Sequence, residues 1–514
     1  MLVKTYAAAV QGISATLITI EVSCTKGIQF YLVGLPDVAV RESHERIISA
    51  LQVNGLKFPR YRIVINMAPA DIRKEGSAYD LPLAIGILAA ANETGLNTEM
   101  LDRYMMMGEL SLDGSLQPVK GMLPIAIKAR EEGFKGLIVP KQNTREAAVV
   151  NNLDVYGAEN IREVIDFFCG KCELEATVVN TREEFYARQQ QFDQDFSEVR
   201  GQESVKRALE VAAAGGHNII MIGPPGSGKS MMAKRLPSIL PPLTLQEALE
   251  TTKIHSVAGK MEKNTSLLTQ RPFRAPHHTI SDVAMVGGGA FPQPGEISLA
   301  HNGVLFLDEL PEFTRNVLEV LRQPLEDRCI RISRAHSAAD YPASFMLVAS
   351  MNPCPCGYYN HPDRQCLCPP GTVLKYMNRI SGPLLDRIDI QIEIVPVPFE
   401  KISERRPAES SECIRERVIR AREIQSARFA PDPQTYCNAQ MESRQLHKHV
   451  TPDEAGNALL KNAMQKFSFS ARAHDRILKV ARTVADLDDS ADVKPHHLME
   501  AISYRNLDRE TWGM

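Results

Sequence analysis

The stretch that most constrains this chain is Asn218 to Ser230, NIIMIGPPGSGKS, where a short apolar run breaks into Gly223, Pro224, Pro225, Gly226, Ser227, Gly228, Lys229 and Ser230. The pattern G-x-x-x-x-G-K-S is a phosphate-binding loop. Its glycines let successive backbone N–H groups turn inward around a phosphate with no Cβ in the way, Lys229 adds a mobile positive charge, and Ser230 offers a hydroxyl to Mg²⁺. The helix expected from Lys229 to Leu236 presents its positive end to the same phosphate. A strand must precede such a loop and a helix must follow it, so the loop commits its surroundings to an α/β domain with a nucleotide site.

The second acidic half of that site is expected in Gly303 to Glu309, GVLFLDE, an apolar strand ending in two carboxylates. Asp308 is suited to the Mg²⁺ shell and Glu309 to orienting the attacking water. The chain between Ser230 and Asp308 is longer than one helix and one strand require, so material is inserted. That insertion includes RPFRAPHHTI (from Arg271) and VGGGAFPQPGEI (from Val286), whose glycine and proline density marks loops and hairpin tips. After the acidic pair, Thr314 to Glu326 reads as a helix and Cys329 to Ala343 as a hairpin carrying Arg331, Arg334 and His336. A strand from Phe345 to Ser350 then delivers Asn352 beside the acidic strand, where its amide can touch a γ-phosphate.

Cys354-Pro-Cys356 and Cys366-Leu-Cys368 place four thiols in one loop. Tetrahedral Zn²⁺ accepts four thiolates, and a closed four-sulfur site is structural, so zinc is expected here, with free thiols as the alternative. Cys169 and Cys172 form a lone C-x-x-C without a second pair at finger spacing, which points to packed thiols. The composition is that of a globular protein of about three domains. With 59 basic and 62 acidic residues, a net charge of −3, no bulk cationic field recruits nucleic acid, and any such contact must be local. The longest apolar run, Leu81 to Ala91, is broken by Pro82 and Gly86 and is too short to span a bilayer. Met1 to Leu17 lacks the order of a signal peptide, so a cytoplasmic protein with no membrane partner is expected.

The first third alternates strand-like runs (Thr16 to Val22, Phe30 to Val33, Tyr61 to Asn66, Gly136 to Val139) with helix-like ones (Val38 to Asn54, Leu81 to Asn92, Pro124 to Glu132). Here GLPDVAVRESHERIISAL, MAPADIRKEGSAYDLPLAIGIL and MGELSLDGSLQPVKGMLPIAIKA (from Gly34, Met67 and Met107) resemble the Lon-protease-like domain of magnesium-chelatase-like ATPases and of the recombination protein RadA. The resemblance puts the peptidase serine near Ala78 and its lysine near Leu123, neither of which can do that chemistry. Ser77 and Lys120 lie close by as shifted substitutes. A scaffold that binds DNA or packs a ring is the stronger expectation.

Over the whole chain, the order RPFRAPHHTI, GEISLAHNGVLFLDEL, VLRQPLEDR, MNPCPCG and SGPLLDRIDI resembles the magnesium-chelatase-like AAA+ family usually called YifB or ComM, related to the MCM helicases. The resemblance implies Asn352 as sensor 1, Arg387 as an arginine finger acting on the next subunit, and Arg472 as sensor 2, reaching the γ-phosphate when the lid closes, against a surface salt bridge. It implies Val199 and Gly201 as adenine contacts, against ordinary core packing. It also implies a pre-sensor hairpin at Cys329 to Ala343, whose Arg331 and Arg334 are candidates for DNA phosphate contacts, against a plain solvated hairpin.

The expected architecture is α/β throughout its first two domains. Residues 1–172 form a Lon-protease-like (ribosomal S5 domain 2-like) domain without the catalytic dyad, and 173–196 a linker. Residues 197–395 form an AAA+ P-loop core with a parallel sheet, and 396–514 an α-helical lid. By resemblance the protein is a homo-hexameric ATP-dependent translocase or helicase on single-stranded or branched DNA, promoting branch migration in recombination or natural transformation. The rivals are the motor subunit of a metal chelatase, for which the chain lacks an integrin-like metal-binding domain, and an ATP-gated DNA-binding scaffold.

Overall fold

In a computed structural model, the chain is described over residues 2–189, 192–262, 265–289, 292–334, 337–359, 361–396, 408–432, 434–467 and 469–505, with the side chains of 188, 334 and 337 outside the description. It divides into two compact units. The first comprises Met1–Arg188, Leu245–Thr269 and Ala335–Tyr341, and the second comprises Gln189–Thr244, Gln270–Arg334 and Pro342–Met514.

The first unit is built on a seven-stranded sheet. Its first five strands in the chain are β1 (Leu2–Gln11), β2 (Ser14–Thr25), β3 (Phe30–Val33), β4 (Arg62–Ala68) and β5 (Tyr104–Met106). The spatial order is β3, β4, β2, β1, β5, followed by Gly136–Pro140 and Asp154–Ala158. β1 and β2 form an antiparallel hairpin, and β2 also pairs antiparallel with β4. Period-two patterning sets the faces: Ile18, Ile20 and Val22 of β2 are fully buried, as are Ile65 and Met67 of β4. Against that face lies the helix Asp80–Ala91, apolar all round, with every residue through Ala90 buried. Gly86 permits this approach, since a methyl there would stand 2.9 Å from Val22 Cγ2. Overpacking of that kind costs about 1–3 kcal/mol.

The strand reading of the sequence missed three strands of this sheet, β1, β5 and Asp154–Ala158, and Val38 to Asn54 is two helices, Val38–Arg41 and Ser43–Val53. A larger departure concerns the insertion after the phosphate loop. Its helix Leu245–Val257 belongs to the first unit, where Ser256 donates to buried Glu146 and its carbonyl accepts from the Gly121 N–H at 3.0 Å.

The second unit centres on a five-stranded sheet in the order Phe273–Arg274, Val304–Leu307, Met346–Met351, Ile219–Ile222, Ile390–Glu393. All four pairings are parallel. The three central strands are buried along their whole length, which is why they read as continuous apolar runs rather than alternating ones. The expected Thr314 to Glu326 helix is broken at Leu321 into Arg315–Val320 and Arg322–Asp327. Of the expected hairpin, strand Cys329–Arg334 lies in this unit, and strand Ser337–Pro342 is grouped with the first unit through Tyr341. The lid is helical over Ser411–Phe429, Ser443–His449, Glu454–Phe467, Ala471–Leu487 and Pro495–Ser503.

A buried polar network ties lid to sheet. His217 Nδ1 meets Asp389 Oδ2 at 3.1 Å, its Nε2 meets Thr483 Oγ1 at 2.7 Å, and Arg476 donates to Asp389 Oδ1 at 2.8 Å. Burial would raise the Asp389 pKa, but Arg476 and His217 hold it far below the usual carboxylate range. Burial depresses the His217 pKa, with Asp389 opposing.

Candidate functional site

The phosphate loop joins the strand Ile219–Ile222 to the helix Lys229–Arg235. Gly226 and Gly228 take φ of +79° and +88°, values that other residues adopt only with strain, and the turn they create is what aims the loop's N–H groups inward. Lys229, 8 % exposed, donates to the carbonyls of Gly223 (2.7 Å) and Pro224 (2.9 Å) and reaches Asn352 Oδ1 at 3.3 Å. Burial pulls its ammonium below the usual pKa, with Asp308 and Glu309 opposing. Ser227 Oγ is buried without a hydrogen-bond partner.

Ser230 Oγ donates to Asp308 Oδ2 at 2.7 Å across 78 residues of chain. Ser350 Oγ donates to the other oxygen of Asp308, and the Glu309 N–H reaches Asp308 Oδ1 at 3.1 Å. Glu309 has a left-handed backbone (φ 55°) just past its strand, and its half-exposed carboxylate lies 3.8 Å from His278 Nδ1. The parallel sheet therefore brings Lys229, Ser230, Asp308, Glu309 and Asn352 to the ends of three neighbouring strands, Ile219–Ile222, Met346–Met351 and Val304–Leu307. Carboxylates, a cation and the unpartnered Ser227 hydroxyl around a glycine cradle fit a nucleotide's phosphates and a hydrated Mg²⁺. Ser350 and His278 were missed by the sequence reading. Ser350 carries no local signal, and His278 stood in a loop-rich motif to which no role was given.

The remaining candidates lie elsewhere. Val199 is 1 % exposed within the unit's hydrophobic core, and Gly201 has φ +67°. Arg387, 8 % exposed, pairs with Glu326 at 2.5 Å and donates to the Pro383 carbonyl at 2.5 Å. Arg472 is two-thirds exposed and 3.8 Å from Asp386. Both arginines line one cleft of about 320 Å³ together with Glu326, Asp386, Arg476 and Lys479. Among the described residues neither arginine hydrogen-bonds the phosphate loop. Arg331 is exposed on its hairpin strand, and the Arg334 side chain lies outside the described residues.

The four loop cysteines converge. Sγ–Sγ distances are 3.3 Å for Cys354–Cys356, 3.7 Å for Cys354–Cys366 and 3.6 Å for Cys356–Cys366, and Cys368 completes a set within 4.8 Å. Four Zn–S bonds of about 2.3 Å at tetrahedral angles span edges of about 3.8 Å, so this donor set fits zinc in size and chemistry. The knuckle abuts the phosphate loop: a Cβ on Gly357 (φ +84°) would stand 2.5 Å from Pro225 Cδ. In the first unit, Leu123 is fully buried, and the Lys120 side chain lies along Gly259, 2.8 Å from where a Cβ would be. Among the described residues no hydrogen bond joins Lys120 to Ser77.

A parallel sheet of this order, with a phosphate loop after one strand, an acidic pair after another and a helical lid, defines a P-loop ATPase of the AAA+ class. The family model described as magnesium chelatase, subunit ChlI, matches residues 195–402, subunit ChlI of Mg-chelatase matches 20–143, and the ChlI C-terminal model matches 408–505. The chain is 43 % identical over 508 residues to Competence protein ComM of Haemophilus influenzae, covering 98 % of this chain and 97 % of that one. It is 44 % identical over 501 residues to the uncharacterized protein YifB of Escherichia coli, covering 97 % and 96 %. Lon protease 2 of Bacillus subtilis is 25 % identical over 171 residues, 30 % of each chain. The chain belongs to the ComM/YifB family of magnesium-chelatase-like AAA+ ATPases. No helix among the described residues is long and apolar enough to cross a membrane.

Proposed function

We propose that this protein is an ATP-driven DNA translocase that works as a homo-hexamer and promotes branch migration in recombination or natural transformation. The observation that carries the reading is the convergence of Lys229, Ser230, Asp308, Glu309 and Asn352 on the phosphate loop in a chain similar over nearly its full length to a competence protein. An entering phosphate competes for Lys229, which exchanges two loop carbonyls for phosphate oxygens. Ser230 and Asp308, already hydrogen-bonded, would hold the Mg²⁺ shell, and the ion when bound would neutralise charge on the phosphates. Glu309 accepts a proton from the attacking water, and Asn352 holds that water or the γ-phosphate in line. Arg387, away from its own loop, serves the neighbouring subunit's nucleotide, and Arg472 reaches the γ-phosphate as sensor 2 when the lid closes. Arg331 and Arg334 on the hairpin meet DNA phosphates in the ring's pore, and the four-cysteine knuckle holds one structural zinc against the phosphate loop.

The test is ATPase rate with no DNA, linear DNA and a branched junction, followed by strand displacement. Stimulation by the junction with displacement supports the translocase. A rate indifferent to every DNA would favour a chelatase motor, and stimulation without displacement an ATP-gated scaffold.

A further inference from the structure

The first unit carries an unassigned cationic surface at one margin of its sheet. β3 is the edge strand, paired with β4 on one side only. From Val22 to Pro36 and from Arg46 to Ala70 the sequence holds no aspartate or glutamate, while Lys26, Lys57, Arg60 and Arg62 are all exposed. Among the described residues none of the four has a carboxylate partner. The register brings two of them together: Thr25 of β2 pairs with Arg62 of β4, so Lys26 lies beside Arg62. Gly27 (φ +140°) lays the connecting loop flat on that arginine, since a Cβ there would stand 2.9 Å from Arg62 Cβ. The Ile63 N–H then closes the turn on the Gln29 carbonyl at 2.8 Å.

Aromatic rings are interleaved with these charges. Tyr31 pairs in register with Val64, two residues from Arg62 on the same face, and Arg62 Cζ lies 5.5 Å from the centroid of the Tyr31 ring. Tyr31 is 44 % and Tyr61 36 % exposed, and Ile28 in the Lys26–Gln29 loop is 86 % exposed. A surface that evolves only for solubility mixes both signs of charge and has little use for open rings.

We propose that this margin, formed by β3, the Lys26–Gln29 loop and the start of β4, binds single-stranded nucleic acid. Lys26, Arg60 and Arg62 take its phosphates, and bases stack on Tyr31 and Tyr61. Unsatisfied cations match the charge of a phosphate backbone and not that of a second copy's equivalent, equally cationic margin. Open rings favour a single strand over a duplex, whose bases are already stacked on one another. The proposal rests on the DNA-motor reading and extends it: the margin of this sheet gives the first unit a strand-holding surface of its own.

The experiment uses the full-length protein and a labelled oligothymidine of about 30 nucleotides, long enough for one such site. Binding is followed by anisotropy across a salt series, with ATPase stimulation measured in parallel. Arg60→Glu with Arg62→Glu is expected to weaken binding at least about tenfold and to flatten the log K against log salt slope by about 1.4, or 0.7 for each lost contact. Tyr31→Ala is expected to weaken binding with the slope unchanged. DNA-free ATPase activity should be unaltered in both variants, which also reports folding. Wild-type affinity and slope in the charge-reversed protein, while DNA still stimulates wild-type ATPase, overturn this site and leave the motor reading standing. Failure of the wild type to bind or respond to any DNA overturns both. Altered assembly by light scattering with unchanged DNA affinity identifies the margin as a contact between copies and also overturns the proposal.

Discussion

Arg387 and Glu326 are joined by a 2.5 Å ion pair at the mouth of a cleft, and the arginine's other anchor is the Pro383 carbonyl one turn behind it. A guanidinium held this way is rigid before any nucleotide arrives, and it points at no group of its own phosphate loop. If it completes a neighbour's site, Arg387→Ala should leave ATP binding nearly intact while hydrolysis falls about 10³- to 10⁵-fold, the range known for arginine fingers. Mixing that variant with Lys229→Ala should restore part of the rate, at interfaces where an intact loop faces an intact finger. Independence of the rate from mixing and from protein concentration would remove the shared-site mechanism.

Lys229→Ala and Glu309→Gln should separate binding from chemistry. The first removes the counter-charge to the phosphates and is expected to abolish ATP binding. The second keeps the fold and the Asp308–Ser230 contact but loses the proton acceptor, so ATP should bind normally and turn over about 10²- to 10⁴-fold more slowly. Nucleotide titration by fluorescence checks both, and equal affinity in Lys229→Ala and wild type contradicts the assignment.

The cysteine knuckle is expected to hold one zinc per chain, measured by elemental analysis of protein purified without chelator. Cys354→Ser combined with Cys368→Ser should lose it, because two of four thiolates cannot close the site. Metal-free wild-type protein would refute the prediction.

Gly357 provides a steric test of the contact between that knuckle and the phosphate loop. Gly357→Ala places a methyl 2.5 Å from Pro225 Cδ at a backbone angle other residues adopt with strain. Relief by displacing the loop should lower ATP affinity by about tenfold, or about 1.4 kcal/mol. Zinc content should stay unchanged, which calorimetry and metal analysis of one sample can decide.

The His217–Asp389 pair predicts a pH dependence of stability. Both groups have folded pKa values below their ordinary ones, so the unfolded chain takes up protons first as pH falls. Their contributions are complete above about pH 6.5 for the histidine and about pH 3.9 for the aspartate, and decline below those values. Wild-type stability should therefore fall between about pH 6.5 and 5 by up to about 1.4 kcal/mol per pH unit from His217. His217→Gln should be less stable throughout yet flatter over that window in urea titrations. Parallel profiles for the two proteins would show that His217 is not the group responsible.

Much of the ATP site was legible in the linear chain because its chemistry is local. Gly226, Gly228, Lys229 and Ser230 must be contiguous for backbone N–H groups to surround a phosphate, and Asp308 and Glu309 must end a buried strand to meet it. The cysteine pairs were legible for the same reason, since their spacing alone limits them to one loop. Two relationships stayed hidden. His217, Asp389 and Arg476 are ordinary polar residues until sheet and lid close over them, and their partners lie 172 and 87 residues apart. The helix Leu245–Val257 follows the phosphate loop in sequence yet packs with the first unit, against a helix and a carboxylate more than a hundred residues earlier. Residue type and spacing determine which groups can bind phosphate or metal, because those ligands are satisfied within a turn or a strand end. Which polar groups are buried together, and which unit an inserted helix joins, depends on desolvation and packing between distant segments, and only the tertiary structure decides it.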